Sequence, residues 1–91
     1  MDQYPVMENY RQQIAALDLA ILEAVNARIQ LVRRLKEHKD AQGLSFFDPA
    51  QEDRLMANLA QANPGPLSQE GLRAVFAIIL AWAKHDATGS A

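Results

Sequence analysis

Between Pro5 and Gly43 the chain contains neither proline nor glycine, and Ile14, Leu17, Ile21, Val25, Leu31, Val32 and Leu35 recur with helical spacing. The pattern predicts one uninterrupted helix over about residues 6–41. Even about 33 residues of helix span about 50 Å at the usual rise. A compact chain of this length has a radius of gyration of only about 12 Å. Such a helix overhangs its own domain and leaves an apolar stripe uncovered. The simplest cover is a second copy of the same chain related by two-fold symmetry, so a homodimer is expected before any function is considered.

The first helix is expected to stop near Ala41-Gln42-Gly43, with glycine as the C-cap, and Leu44-Ser45-Phe46-Phe47 follows as a linker. Asp48 is an N-cap residue, Pro49 suits the first helical position, and Gln51 stands where a capping-box partner would be. A second helix over about 49–62 carries Leu55, Met56 and Leu59 on its apolar face. Asn63-Pro64-Gly65-Pro66 breaks it, and Ser68 can cap a third helix over about 69–86 with Leu72, Val75, Phe76, Ile79, Leu80 and Ala83 at helical spacing. The tail from Thr88 to Ala91 is expected to fray. No strand-like alternation, internal repeat or low-complexity stretch is present, so the reading is one all-α domain over 1–91: a long, a short and a medium helix.

Composition narrows the function. At 91 residues, 49% hydrophobic and 22% charged, the chain is an ordinary globular domain. No apolar run is long enough for a bilayer, and Met1-Asp2-Gln3-Tyr4-Pro5 lacks the basic start and apolar core of a leader, so a cytoplasmic protein without membrane contact is expected. The absence of cysteine excludes disulfides and thiolate chemistry, and a net charge of -2 offers no general attraction to nucleic acid. Any anion site must be local.

Two columns of charge do not fit a plain bundle. Counting sevens from Ile14 gives Ile21, Arg28 and Leu35, so Arg28 stands where the pattern asks for an aliphatic side chain. A buried guanidinium needs an anion; the options are an internal pair with a residue such as Glu52, escape of the head group to water, or a bound anionic ligand. A second column runs Arg11, Asp18, Val25, Val32, Lys39. Arg28 and Lys39 lie about 16 Å apart along the helix, close enough for two long side chains to grip one small ligand. Arg11 lies about 42 Å from Lys39 and joins them only from an antiparallel partner.

Other features favour plainer readings. The basic run Arg33, Arg34, Lys36, His38 and Lys39 has no interleaved aromatics and reads as a solvated face that also suits a helix C-terminus, not as a nucleic-acid site. His38 and His85 lack metal-ligand spacing, so no metal is expected. Trp82 reads as core or interface. Ser45 and Ser68 have no histidine and carboxylate set to make them nucleophiles.

The segments Arg11 to Asp18, Asn26-Ala27-Arg28, Lys36-Glu37-His38-Lys39, Gly43 and Phe47 to Glu52 together resemble the all-helical class of chorismate mutases, and the likeness continues through Asn63-Pro64-Gly65-Pro66 into the third helix. The specificity lies in several charged positions falling in register. The resemblance implies an intertwined antiparallel homodimer and an isomerase that rearranges chorismate to prephenate without a cofactor. It places the chain in the shikimate pathway toward aromatic amino acids, and allows for a partner enzyme of that pathway. By the same resemblance Arg28 and Arg11 of the other subunit bind the substrate carboxylates, Lys39 donates to the ether oxygen, and Glu52 with the Asp48 amide holds the hydroxyl.

Three positions depart from the family pattern. Gln51 stands where arginine is frequent, Ala83 where a small hydroxyl residue is frequent, and Ala87 where a glutamine or glutamate usually shares the ether oxygen with the lysine. A lost donor of this kind costs about 3 kcal/mol unless Lys84, His85 or Asp86 reaches in. These losses motivate two alternatives: a neighbouring activity such as isochorismate pyruvate lyase or 4-amino-4-deoxychorismate mutase, and a non-catalytic helical regulatory or interaction module.

Overall fold

The computed structural model describes residues 3–89; Met1 and Asp2 of the leader reading and Ser90 and Ala91 of the tail lie outside them. Three helices follow in order, α1 (Tyr4–Ala41), α2 (Pro49–Ala62) and α3 (Gln69–Ala87). Helix α1 begins two residues ahead of the span that apolar periodicity marks. Pro5 sits in its first turn, where a missing N–H leaves no bond unmade. At the far end Gly43 adopts φ 69°. The Leu44 amide donates to the Lys39 carbonyl at 2.8 Å and the Gly43 amide to Asp40 at 3.2 Å, the paired bonds of a Schellman stop.

The Asp48 side chain caps α2 by accepting from the Gln51 amide at 3.1 Å. The expected reciprocal half of the box is replaced: Gln51 Oε1 accepts from Arg54 Nη2 at 2.8 Å and Nε at 3.1 Å, because the guanidinium one turn on offers two donors. Between α2 and α3, Asn63 braces the turn by donating to the Leu67 carbonyl at 2.8 Å and accepting from the Gly65 amide at 2.9 Å. Ser68 caps α3 through the Gly71 amide at 3.0 Å. Thr88 and Gly89 close the end of α3, with the Thr88 hydroxyl donating to the Lys84 carbonyl at 2.8 Å.

Helix α3 packs against both α1 and α2. Arg33 of α1 and Asp86 of α3 tie the first contact through a two-pronged bridge of 2.6 and 2.7 Å. That hydrogen-bonded guanidinium holds the Asp86 carboxyl below its ordinary range. The packing is thin: among the described residues only Leu72 and Ala83 are buried, and α1 buries none. Ile14, Leu17 and Ile21 stay 57%, 65% and 61% exposed, and Trp82, expected as core or interface, is 60% exposed and touches His85 edge-on. In the single chain it is not core.

The dimensions repeat the point. The chain extends 66 × 27 × 19 Å with a radius of gyration of 17.5 Å, against about 12 Å for a compact fold. Its accessible surface of 7292 Å² exceeds the about 5,300 Å² of a compact monomer of this mass by about 2,000 Å². No described helix is long and apolar enough to cross a membrane.

Candidate active site

The cavity with the chemistry lies where the C-terminal half of α1 faces the linker, the start of α2 and the end of α3, and has a volume of about 260 Å³. From α1 it takes Arg28, Val32, Leu35 and Lys39, positions spaced by three, four and seven that share one helix face. The Schellman stop turns the chain so that Phe46, Phe47 and Asp48 form the next wall, followed by Gln51, Glu52 and Leu55 from the first turns of α2. Leu80, Ala83 and Lys84 of α3 close the far side.

Arg28 is the most informative of these residues. Its Nη1 is sealed from solvent without a hydrogen-bond partner, and it is the one such buried side-chain atom among the described residues. The internal pair with Glu52, one of the three options open in the sequence, is not formed. Glu52 Oε1 instead meets Lys84 Nζ at 2.5 Å. Its Nη1 has not escaped to water either. An unsatisfied donor on a charged group costs upward of about 1–3 kcal/mol, a cost that an acceptor brought to the cavity would offset.

Lys39, about three turns farther along, donates from Nζ to the Phe46 carbonyl at 3.3 Å. The linker is thereby held against α1, and the ammonium stays at the cavity wall. Asp48 lines the cavity and has its carboxylate committed to the cap of α2. Gln51 lines it with its carbonyl oxygen engaged by Arg54, which fixes the orientation of the amide. Ala83, buried and with only a methyl group, contributes shape and no hydrogen bond.

Two residues singled out from the sequence are not in this cavity. Arg11 is exposed on α1, seventeen residues before Arg28 and about 26 Å away along the helix. Ala87 ends α3 one turn beyond Ala83 and does not line the wall. The apolar liners Val32, Leu35, Leu55 and Leu80 were legible only as helix-face residues, because nothing in their type separates a core wall from a cavity wall. Lys84 carried a signal equal to that of Arg28. Leu72, Phe76 and Leu80 step by four toward it, so a cation occupies an apolar-stripe position.

The cavity thus has largely apolar walls, takes cations from two helices and holds one guanidinium nitrogen without an acceptor, the arrangement expected of a small-anion site. Against known proteins, the family model for chorismate mutase type II matches residues 10–86. A solved structure of chorismate mutase (form II) from Thermus thermophilus superposes with a TM-score of 0.82 at 27% identity, over 86% of this chain and 89% of that one. No curated protein matches the sequence. The matched span runs from before Arg11 to beyond Lys84 and takes in all three helices and every polar wall of the cavity, and on that ground the chain belongs to the chorismate mutase type II family and is an isomerase.

Proposed function

We propose that this protein rearranges chorismate to prephenate in a pocket completed across a two-fold homodimer, on the route to aromatic amino acids. The observation that carries the reading is Arg28 at the cavity wall, its Nη1 buried without an acceptor. A dicarboxylate supplies the acceptor, and a planar fork suits a carboxylate.

The roles follow from chemistry and position. Arg28 takes one carboxylate and Arg11 of the partner subunit takes the other. Lys39 leaves the Phe46 carbonyl for the ether oxygen, where negative charge grows as the carbon–oxygen bond lengthens. A preorganised donor aimed at developing charge accelerates the step without proton transfer or a covalent intermediate. Glu52 and the Asp48 amide at the mouth of α2 take the hydroxyl. Gln51, its oxygen held by Arg54, offers its amide N–H in place of a cation. Ala83 leaves room for the substrate, and Ala87 contributes no donor. The cavity selects a compact conformer of a unimolecular reaction, which supplies the orientation.

The dimer follows from surface. An excess of about 2,000 Å² per chain is about what each subunit contributes to an obligate helical interface. An antiparallel copy of α1 covers Ile14, Leu17 and Ile21 and carries Arg11 back toward Arg28.

The test is loss of chorismate absorbance with the purified protein, identification of the product, and an Arg28→Ala control. Turnover to prephenate that the control lacks supports the reading. Turnover of isochorismate or 4-amino-4-deoxychorismate alone moves the activity to a neighbouring substrate, and no turnover by a folded dimer contradicts it.

A further inference from the structure

The contact between Lys84 and Glu52 has no part in the roles given above, yet it lies inside the cavity. It joins the start of α2 to the end of α3 at 2.5 Å, with both side chains partly exposed. A carboxylate on the wall of an anion site is unfavourable for the ligand. Two like charges held within a few ångströms repel, and that repulsion weakens binding.

The charges around the cavity define the problem. One chain supplies the cations Arg28, Lys39 and Lys84 and the carboxylates Asp48 and Glu52, a balance of plus one. Arg11 of the partner subunit raises the balance to plus two, which matches a dicarboxylate. Without Lys84 the completed pocket stands at plus one and Glu52 is uncompensated. Gln51, being neutral, does nothing to repair this. Lys84 is also the one cation of the pocket that reaches it from α3.

We propose that Lys84 is a specificity-determining positioning residue: as the counter-ion of Glu52, it lets a hydroxyl-binding carboxylate share a pocket with a dianionic substrate. It acts through Glu52 by holding that carboxylate to the α3 side of the cavity and cancelling its charge. The inference rests on the dianion reading given above. Its consequence is specific to binding, because the pair exists before the substrate arrives and its charge does not change during the rearrangement. Loss of Lys84 therefore raises KM and leaves kcat nearly unchanged.

The experiment compares wild type, Lys84→Met, Lys84→Arg and the double variant Lys84→Met/Glu52→Gln, with chorismate as substrate and helicity and dimer mass checked for each. Lys84→Met is expected to raise KM about tenfold with kcat within about twofold. Lys84→Arg should restore KM because the charge returns. The double variant should recover most of the lost affinity, because glutamine keeps a hydrogen-bonding group for the hydroxyl and removes the charge that lysine cancelled. A KM within about twofold of wild type in Lys84→Met overturns the inference, as does a double variant no better than Lys84→Met, since then Lys84 acts by another route. Wild-type protein inert toward chorismate overturns the proposed function and this inference together, whereas the two former results leave that function standing.

Discussion

Arg28 is the residue on which the proposed site turns. Its Nη1 is buried with no acceptor among the described residues, at an energetic cost that a bound carboxylate would relieve. The Arg28→Ala variant should therefore lose about a hundredfold or more in kcat/KM while its melting temperature stays level or rises. Thermal unfolding beside the kinetic assay checks both, and a large fall in melting temperature would mark Arg28 as structural. In the sequence this residue was legible because a cation broke a column of aliphatic positions. What the sequence left open was its partner, since Glu52 was an equally good candidate on charge. Only the folded chain shows Glu52 taken by Lys84, and the distance between α2 and α3 that decides it is set by packing across two turns of chain.

At the scale of elements, the site depends on where helices stop and how they are pinned. Gly43 turns the chain at φ 69° so that Phe46, Phe47 and Asp48 reach the cavity. A Cβ there meets no neighbour within 4 Å, so the penalty of alanine is conformational, about 1 kcal/mol. Gly43→Ala should lower stability in urea by that amount and weaken substrate affinity, since the linker is displaced. The second pin is the Arg33–Asp86 bridge between α1 and α3. The Asp86 carboxyl titrates below its ordinary value in the fold, so its stabilising contribution is complete above about pH 4 and fades as the pH falls through the depressed value. The stability gap between wild type and Asp86→Asn should be constant near neutrality and close in acid, as thermal melts across that range would show. A gap that persists in acid would mean the bridge contributes through packing instead. Helix number, order and caps were readable in the sequence, because Pro49, Asp48, Ser68 and Gly43 each act through local backbone chemistry. The Arg33–Asp86 bridge was not, because it joins residues 53 apart whose juxtaposition no local pattern encodes.

The whole molecule has more surface than one chain can use. A 38-residue helix with no buried residue, an accessible area of 7292 Å² and a cavity lacking Arg11 have a common remedy in a second copy. Length and periodicity alone predict such a copy, since α2 and α3 are too short to cover a helix of this span. The division of the site between subunits is the central claim, and subunit mixing tests it most directly. Arg11→Ala and Arg28→Ala proteins, each inactive alone, are mixed in equal amounts, exchanged, and assayed with chorismate. A shared site predicts that about half of the dimers are mixed and that each has one intact pocket, so about one quarter of wild-type activity returns. A mixture that stays as inactive as its parents, with exchange verified by mass, would contradict a pocket built from Arg28 of one chain and Arg11 of the other.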